Sequence, residues 1–591
     1  MPASALKPSS NAAPLAPLGA VQGVRTLVHI PLRNEGELTA LVAEQSTPGS
    51  AQYRHFLTPE QFNARYGPAA EDVKTVSETL RARGFTTYVT TQGVVADAPQ
   101  AIVERTFKTH VLTTSSVGSM HAASIVVVPD ALKSVGATVA IIPPKFVAKP
   151  LSMRTAAYPN GLLPSPDDRY GPNKLEYWFT DLKQAYEYPS AQVATGAGKT
   201  IGIVMSDTVL QSDLQAYFDH ENYTKVSGLG VPTLQVVPVD GGAVTGVGDE
   251  VSLDVQMSLG SAPGANLLVY NTPDLSFGAI YDAYYKAIAE NRVDIVSSSF
   301  GLGEKYFTPE YNNGQDFTSI LTKDFHDLFV QGNAQGISFL ASSGDSGGNG
   351  CPDPAGTRAV PCVSWPAVDP NVTAVGGTNL VTTSLPKTDP TSPYPFALTS
   401  EYVRENANYD PLAYDIFGFS AGSAALPGEV WGSGGGESVV FGLPAYQSGV
   451  PSRGARGRMV PDISMHMGGC PGGSVQPCGP DRSFVVIYVG GMRAGVIGTS
   501  ASSPEFAGLL AITEAAQGGQ RLGNANNYIY SLVHGNSVNG AYRHRIPGNN
   551  GSYGTQPVYD KVLGVGTPRA AIFAGIGNSP LAGDPQTPSN P

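Results

Sequence analysis

The sequence predicts an α/β protein built on a doubly wound parallel sheet, preceded by a smaller α+β unit. In the larger, C-terminal part, short apolar runs that end in small polar residues alternate with stretches of helical periodicity. This alternation is typical of the strands and helices of a parallel sheet. Because the carboxyl ends of parallel strands meet at one edge, the small polar residues are expected to form a functional site there. The strand-like runs are KTIGIVMSD, ANLLVYNTPD, VDIVSSSFG and GISFLASSGDSGG.

The smaller unit spans residues 24–150 and mixes helical with strand-like stretches. NEGELTALVAEQ and AEDVKTVSETLRARG have helical periodicity and polar starts. LVHIPLR, TTYVTTQGVVADA and SIVVVP have the patterns of strands. Residues 1–23 are rich in proline, alanine and serine and lack the apolar core of a signal peptide, so we interpret them as a disordered leader.

A stretch dense in proline, glycine and polar residues, 143–173, separates the two units and is typical of an exposed linker. We assign 151–175 as a processing linker, 176–574 as the large α/β domain and 575–591 as a flexible tail. Exposed segments of this kind are preferred sites of proteolysis, so a cut is expected in the linker.

The composition argues against a nucleic-acid partner and against a membrane span. Lys and Arg number 36 against 48 Asp and Glu in 591 residues, whereas a nucleic-acid-binding protein would carry a basic stripe. No apolar run is long enough to cross a bilayer. The four cysteines form two close pairs, Cys351 with Cys362 and Cys470 with Cys478. We interpret them as local disulfides of an exported protein, with free thiols as the alternative.

GVIGTSASSPEFAG, residues 495–508, has the pattern of a tight turn that enters a helix carrying a nucleophile. Gly498 permits an unusual backbone, and Pro504 is tolerated in a first helical turn, which places Ser500 at or just before the helix start. Unpaired backbone N–H groups at that position can stabilise an oxyanion. A serine that merely caps the helix is the alternative interpretation.

The group that would accept the serine proton is predicted to be a carboxylate. None of the nine histidines is followed by Gly-Thr, the usual context of the histidine base in subtilisin-type proteases. Glu250 and Asp254 lie four residues apart on a predicted helix, DEVSLDVQMSLGS, so both carboxyl groups share one face. Because this helix is otherwise apolar, the two acids are expected to be buried and to raise each other's pKa. A solvated acidic face is the alternative.

A third acid, Asp345, ends the most apolar strand in the sequence SSGDSGG. We interpret Asp345 as a neutral carboxylic acid that donates a hydrogen bond to an oxyanion. An aspartate that only stabilises a turn is the alternative.

Taken in order, these motifs resemble those of the sedolisin, or serine-carboxyl peptidase, family. YRHFLTPEQFNARYG resembles the signature of the family's prodomain, and WPAVDPNVTAVGGT, SGGGES and RMVPDIS follow in family order. The resemblance implies a subtilisin-like fold after a ferredoxin-like inhibitory prodomain, and an acid endopeptidase made as a zymogen. Secretion is expected from the cysteine pairs, although no clear signal peptide is visible. It also implies that Ser500 is the nucleophile, Glu250 the general base, Asp254 its orienting partner and Asp345 the oxyanion acid.

The chain departs from the family pattern at two places. The family builds a calcium site near its C-terminus, where Asp560 matches one ligand but His544 stands at the position of the other, beside Arg545. Calcium takes oxygen ligands, so we expect no metal cofactor to be required and a cationic His544 or Arg545 to pair with Asp560. The second departure is Ile497, where the family usually has glycine; this change would alter the turn or narrow the cleft.

Three rival functions remain open at this point. They are a tripeptidyl-peptidase of the same family, a non-catalytic binding protein that keeps the fold, and a neutral protease with a histidine base. The expected partners are peptide or protein substrates and the chain's own prodomain. A carboxylate base and a protonated Asp345 are both present only in acid, so activity is expected to fall towards neutral pH.

Overall fold

A computed structural model describes residues 23–111, 126–154, 176–386, 398–407, 409–411, 426–451, 454–469, 483–534, 537–538 and 540–577. The predicted leader, most of the predicted processing linker and tail, and the Cys470–Cys478 pair lie outside the described residues. The predicted Cys351–Cys362 disulfide is present. Within the described part of the chain, no helix is both long and apolar enough to span a bilayer.

The N-terminal domain is a four-stranded antiparallel sheet covered by helices. Its strands run in the spatial order second, third, first, fourth, which is the order of a ferredoxin-like domain and confirms the predicted α+β unit. Val76, Leu80 and Phe107 contribute to the core of this domain. The strands are Val24–His29, Thr86–Thr90, Gly93–Ala98 and Thr138–Ile141, and the helices are Glu35–Gln45, Pro59–Tyr66, Ala70–Arg81, Gln100–Phe107 and Asp130–Lys133.

Two features of this domain differ from the sequence prediction. The strand predicted at SIVVVP is wrong for its described part, because residues 126–129 form no strand. Val126 and Val128 pack against the domain core instead, which accounts for the apolar pattern. The helix Pro59–Tyr66 was not predicted; Thr58 caps it by exchanging hydrogen bonds with Gln61.

The large domain is built on an eight-stranded sheet that is parallel except at one edge, as predicted. Its four predicted strands are neighbours in the middle of the sheet. In spatial order the strands are Leu398–Asn406, Val372–Pro386, Ser338–Ser342, Ile295–Ser298, Thr200–Met205, Asn266–Asn271 and Gln235–Pro238, with Ile463–His466 also paired to Val372–Pro386.

Helices pack against this sheet and enclose one large hydrophobic core. Two of them, Asp249–Ser261 and Thr499–Ala516, lie against each other and carry the predicted site residues. The other helices are Phe179–Ala185, Gln211–His220, Tyr223–Ser227, Phe277–Glu290, His326–Ala334, Ala525–Ser531 and Ala570–Phe573, with a π-helical turn at Ile320–Phe325.

Several short strands lie outside the two main sheets. Two small sheets flank the N-terminal end of the Ser500 helix: Phe300–Gly303 pairs with Ser364–Trp365, and Met492–Ile497 pairs with Phe484–Val489, which also pairs with Glu176–Tyr177. The remaining pairs are Cys351–Pro352 with Ala359–Val360, Asp410–Pro411 with Val430–Trp431, Gly436–Gly442 with Gly457–Val460, Val533–His534 with Ser537–Val538, and Tyr542–Arg543 with Thr567–Pro568.

The end of the N-terminal domain differs from the exposed linker that its composition predicts. Phe146 and Ala148 are buried. Residues 149–154, hereafter the cleft segment, lie extended between the two small sheets: Lys149–Pro150 pairs with Phe300–Gly303, and Met153–Arg154 pairs with Met492–Ile497. The N-terminal domain is therefore joined to the large domain through the region that contains the predicted site.

Candidate active site

The helix that carries Glu250 and Asp254 lies inside the large domain. It runs from Asp249 to Ser261, as its sequence predicts, and every residue from Glu250 to Ser261 is buried. Acidic residues in its first turn lie at the positive end of the helix dipole. The predicted burial of the acidic pair is confirmed, and the alternative of a solvated acidic face is wrong. Burial removes water from both carboxyl groups, so each depends on its protein neighbours.

The Glu250 carboxyl group has polar neighbours on one side. Its Oε2 accepts a hydrogen bond from the hydroxyl of Ser152, whereas Oε1 has no hydrogen-bond partner among the described residues. Burial raises the pKa of Glu250 well above its usual range, and the charge of Asp254 raises it further. The Ser152 hydrogen bond and the nearby Ser500 hydroxyl both act to lower this pKa, although in this structure the Ser500 hydroxyl donates to the carbonyl oxygen of Ser299 at 3.3 Å.

Asp254 lies one helical turn after Glu250 on the same helix and is fully buried. Its Oδ1 accepts a hydrogen bond from the Ser299 hydroxyl at 2.5 Å, and its Oδ2 has no hydrogen-bond partner within the described part of the chain. Burial raises the pKa of Asp254 well above its usual range, and the bond from Ser299 opposes this only in part. Each carboxyl group accepts one serine hydrogen bond, but the Ser500 hydroxyl additionally favours the ionised form of Glu250, so a proton held by the pair is favoured on Asp254.

Ser299 is a site residue that the sequence analysis missed. It follows the strand Ile295–Ser298, and its hydroxyl oxygen also lies 3.5 Å from the carbonyl oxygen of Ser500. It therefore links the two helices of the site. The third serine in VDIVSSSFG, directly after an apolar strand, was the available signal.

Ser500 lies in the first turn of the helix Thr499–Ala516 and is fully buried. Gly498 precedes the helix with a φ of 140°, a conformation that favours glycine, and this confirms the predicted turn. The prediction that Pro504 lies in the first turn is wrong, since the helix begins at Thr499 and contains Pro504 in its interior. Proline has no N–H to donate to the carbonyl group four residues earlier, so the Ser500 carbonyl oxygen stays available to Ser299.

Asp345 lies just beyond the strand Ser338–Ser342, next to the start of the Ser500 helix. Its Oδ1 accepts two hydrogen bonds from Thr499, from the backbone N–H at 2.8 Å and from the hydroxyl at 2.7 Å. Its buried Oδ2 has no hydrogen-bond partner in the described residues. Burial raises the pKa of Asp345 to about 7, with the Thr499 bonds acting in the opposite direction. Below that pH the group is a carboxylic acid with a proton to donate.

The cleft segment brings a peptide carbonyl group to this cluster. The backbone N–H of Ser500 donates to the carbonyl oxygen of Leu151 at 3.1 Å, and the N–H of Leu151 donates to the carbonyl oxygen of Ser299 at 3.1 Å. A methyl group on Gly498 would lie 2.4 Å from the Leu151 carbonyl oxygen and 2.8 Å from Asp345 Oδ2. The absence of a side chain on Gly498 therefore lets a peptide carbonyl group, Asp345 and the Ser500 N–H converge.

The described histidines do not supply a base for Ser500. No hydrogen bond joins a described histidine ring to the Ser500 side chain. His466, the histidine nearest in sequence to the Ser500 turn, is fully buried, and burial lowers its pKa to about 3. The side chain of Ile497, the predicted departure beside the nucleophile, approaches Gly468, and its backbone pairs with Met153 of the cleft segment.

Asp560 is not part of this cluster. Its carboxyl group accepts three backbone hydrogen bonds of 2.8–2.9 Å, from Gln556, Val562 and Leu563. The predicted pairing with His544 or Arg545 is wrong, because neither forms a hydrogen bond or an ion pair with Asp560 among the described residues. Burial lowers the pKa of His544, which makes its protonated form less available.

The surroundings of Asp560 also bear on a metal site. Three backbone amide hydrogens bond its carboxylate, and no group of acidic, histidine and cysteine side chains suited to a metal occurs in the described part of the chain. These residues do not fit calcium.

Two family models match the chain. The first, the pro-kumamolisin activation domain, matches residues 11–140, and the second, the subtilase family of peptidases, matches residues 241–529. The first therefore covers the ferredoxin-like domain, and the second covers the part of the large domain that contains Glu250, Asp345 and Ser500.

Several known proteins are similar to between 66% and 92% of the chain. Sedolisin of Pseudomonas sp. is 28% identical over 577 residues, which cover 92% of this chain and 84% of that protein. A tripeptidyl-peptidase of Aspergillus fumigatus is 25% identical over 604 residues, with coverage of 89% and 88%. Kumamolisin of Bacillus sp. is 29% identical over 415 residues, with coverage of 66% and 61%.

A solved structure of Pseudomonas sedolisin, a serine-carboxyl proteinase, in complex with two molecules of pseudo-iodotyrostatin is also similar to this chain. It superimposes with a TM-score of 0.50 at 25% identity and covers 68% of this chain and 97% of its own. The large domain therefore has a subtilisin-like fold, as the resemblance implied.

Proposed function

We propose that this chain is an acid-acting endopeptidase of the sedolisin family of serine-type peptidases, in which Ser500 is the nucleophile and Glu250 the general base. The observation that best supports this assignment is the convergence of three groups on one peptide carbonyl group. The Ser500 N–H donates to the Leu151 carbonyl oxygen, the unpartnered Oδ2 of Asp345 lies beside it, and Glu250 contacts the next residue, Ser152.

In the proposed reaction the hydroxyl of Ser500 attacks a peptide carbonyl carbon while Glu250 takes its proton. Asp254 keeps a proton because, unlike Glu250, it has no influence from the Ser500 hydroxyl to stabilise its charge, so the negative charge of the pair is favoured on Glu250. The Ser299 hydroxyl holds Asp254 in place. Glu250 then passes the proton to the leaving amine, and water releases the acyl group by the reverse sequence.

The developing oxyanion would be stabilised by two donors. One is the backbone N–H of Ser500 in the first turn of its helix, and the other is the protonated carboxyl group of Asp345. Thr499 fixes the other oxygen of Asp345 by two hydrogen bonds, so the acid is positioned before the reaction starts. Because only the protonated form donates, this stabilisation is lost as pH rises through about 7.

The path of the cleft segment favours an endopeptidase over a tripeptidyl-peptidase. A tripeptidyl-peptidase needs a cleft that closes beyond the third residue before the cut. Here the chain continues without interruption past Lys149, and the N–H of Ala148 donates to the carbonyl oxygen of Leu275 at 2.9 Å. A cleft that holds a continuous chain on both sides of the site is suited to internal peptide bonds.

We further propose that the N-terminal domain inhibits the enzyme, because its C-terminal segment lies on the site that substrates would use. The Cys351–Cys362 disulfide supports secretion, since such bonds persist in oxidising compartments. No metal cofactor is part of this proposal, because the residues around Asp560 do not fit calcium.

The test is the hydrolysis of an internally quenched peptide over a series from about pH 3 to about pH 7, because burial raises the pKa of Glu250 above the ordinary value of a glutamate and the base is ionised only above its shifted pKa. Ser500→Ala and Glu250→Ala should each lower kcat/KM by several powers of ten, because the two groups act as a unit. Ser502→Ala is the matched control: Ser502 lies on the same helix and is equally buried, but its hydroxyl donates to the carbonyl oxygen of His466 at 3.1 Å. Wild-type turnover by Ser500→Ala, or an equal loss in the control, would contradict the assignment.

A further inference from the structure

We infer that the bond between Leu151 and Ser152 is the one that the enzyme cuts in its own chain, and that the flanking residues define its preferred substrates. Those substrates are peptides with leucine directly before the cut and arginine at the third position after it. This inference rests on the proposed function of the site and adds to it a cleavage position, a substrate class and two residues that determine specificity, Gly301 and Asp249.

The register before the cut is set by an antiparallel pairing. Pro150 lies opposite Phe300 and Lys149 opposite Gly301, and the N–H of Leu151 donates to the carbonyl oxygen of Ser299 at 3.1 Å. Main-chain pairing with a strand beside the catalytic groups is how an extended peptide is recognised. These bonds hold the Leu151 carbonyl group beside Ser500.

The register after the cut is set by a second strand on the opposite side. Met153 lies opposite Ile497 and Arg154 opposite Val496, in an antiparallel pair. The chain is thus held on both sides of one peptide bond. The carbonyl oxygen of that bond accepts the hydrogen bond of the Ser500 N–H at 3.1 Å, and no other carbonyl oxygen of residues 149–154 does so.

The cut balances with one water molecule as the co-reactant. The Ser500 oxygen bonds to the carbonyl carbon of Leu151, and the serine proton moves to Glu250. The bond from that carbon to the Ser152 nitrogen then breaks, and the proton moves from Glu250 to the nitrogen. Water next supplies its hydroxyl group to the Leu151 carbon, the bond from that carbon to the Ser500 oxygen breaks, and the water proton moves through Glu250 to that oxygen. The products are a carboxyl group on Leu151 and an amino group on Ser152.

Gly301 makes room for the leucine side chain. A methyl group on Gly301 would lie 3.2 Å from Cδ1 of Leu151, 3.2 Å from Cβ of Ser364 and 3.3 Å from the carbonyl oxygen of Trp365. These contacts are tighter than ordinary packing, so a side chain at this position would occupy the space that leucine now fills. Gly301 therefore permits a branched aliphatic residue before the cut.

Asp249 provides a contact for the arginine. The guanidinium group of Arg154 donates from both Nε and Nη2 to the carboxyl group of Asp249, with the Nε bond at 2.9 Å. This two-point geometry suits arginine better than lysine. Both side chains are partly exposed, at 47% and 34% of their surface, so the preference is expected to be modest.

The first experiment follows the full chain in acid by N-terminal sequencing. The first new N-terminus should be Ser152, and Ser500→Ala should stay uncut. Leu151→Asp should slow this cut by about 100-fold or more, because placing a charged side chain in the space beside Gly301 removes it from water without a partner. Leu162→Asp, a leucine further along the same predicted linker, is the matched control and should be cut as fast as wild type. A first cut at any other bond, or an unaffected Leu151→Asp chain, would overturn the inference.

The second experiment uses the mature enzyme and the peptide Ala-Lys-Pro-Leu-Ser-Met-Arg-Thr, which copies residues 148–155. Replacement of its leucine by alanine should lower kcat/KM by about tenfold or more. In Gly301→Val this preference for leucine should disappear or reverse. Replacement of its arginine by alanine should lower kcat/KM by about two- to threefold in the wild type and not at all in Asp249→Asn.

The outcomes distinguish this inference from the proposed function. If the enzyme cuts peptides in a Ser500-dependent way but shows no preference for leucine and starts its own cleavage elsewhere, the inference fails and the proposed function stands. If neither the chain nor any peptide is cut, both fail. Equal turnover of the leucine and alanine peptides by wild type would be enough to overturn the assigned specificity.

Discussion

The active-site cleft and the C-terminal loop each bury an aspartate, but the two regions surround its carboxyl group differently. Asp345 in the cleft is 7% exposed and Asp560 in the loop is 8% exposed. Three backbone amides bind Asp560 and reach both of its oxygens. Asp345 receives two hydrogen bonds on one oxygen, both from Thr499, and the other oxygen has no partner among the described residues.

The difference shows how two equally buried aspartates can have different roles, one as a proton donor and one as a structural acceptor. Burial raises the pKa of both aspartates, but at Asp560 three amide bonds to both oxygens oppose the rise, and the side chain acts as an acceptor that ties its loop together. At Asp345 burial raises the pKa to about 7, and only the two Thr499 bonds to one oxygen oppose it, which keeps a proton on Asp345 in acid. Glu250 and Asp254 follow the pattern of Asp345, because each also has one unpartnered oxygen. The three acids of the site thus share an unpartnered buried oxygen, a feature that Asp560 lacks.

The largest expected difference between the two regions is in activity. Asp345→Ala removes one oxyanion donor and should lower kcat by about 100- to 1000-fold at about pH 4. Asp560→Ala should leave kcat per active molecule unchanged and should lower total turnover only to the extent that the substitution unfolds the protein. Both are measured with the quenched peptide, and active enzyme is counted by titration. Equal losses per active molecule would remove the distinction between the two aspartates.

The second difference is in the pH dependence of stability. The unfolded state ionises Asp345 near its ordinary pKa of 3.8, whereas the folded state holds the proton to about 7, so stability falls as pH rises between these values. The loss is at most about 4 kcal/mol, at roughly 1.4 kcal/mol for each pKa unit.

Asp345→Asn does not titrate and should avoid this loss. Urea unfolding of both chains, made in the Ser500→Ala background to prevent self-digestion, measures the difference at about pH 4 and about pH 8. A gap between wild type and variant that stays constant over this range would show that Asp345 is not held protonated.

The third difference is the structural contribution of Asp560. Asp560→Ala leaves three buried amide groups without an acceptor and should lower the free energy of unfolding by roughly 1–3 kcal/mol. Asp560→Asn keeps one acceptor oxygen and should lose less. Urea unfolding in the Ser500→Ala background gives both values, and an unchanged midpoint in Asp560→Ala would mean that the loop is held by other contacts.

The smallest expected effect is that of calcium: we expect it to leave the melting temperature unchanged. The backbone amides around Asp560 fill three of the roughly four acceptor positions of its carboxyl group, and His544 is a poor ligand for calcium. The melting temperature should therefore be the same with excess calcium and with a chelator. A rise of several degrees with calcium would show that a metal binds elsewhere or displaces the amides.

Local patterns in the sequence predicted much of this architecture. The helix around Glu250 and Asp254 follows from its apolar periodicity, and the turn before Ser500 follows from Gly498, because both depend on residues close in sequence. The central strands of the sheet were predicted for the same reason. Each of these elements is buried, so its amino-acid pattern is tightly constrained.

The features that were missed depend on contacts between distant parts of the chain. Ser299 bonds Asp254, 45 residues away, and nothing in its own neighbourhood specifies that partner. The cleft segment has the composition of an exposed linker, yet residues 149–154 pair with strands near residues 300 and 495. An extended peptide that lies in an active site makes mostly backbone hydrogen bonds, so its side chains carry little sign of the pairing. The sequence likewise contains no pattern that predicts the three backbone amides that bind Asp560.

The most direct test of the central claim is the pH dependence of kcat/KM for wild type and Asp345→Asn, measured side by side on one quenched peptide. With a carboxylate base and a protonated Asp345, the wild-type rate should be highest in acid and should fall as pH rises through about 7. Asp345→Asn should be slower at its best pH but should lose less of its rate over the same rise, because an amide donates at every pH. A wild-type rate that instead rises to a plateau at neutral pH, as a histidine base would give, would contradict the account.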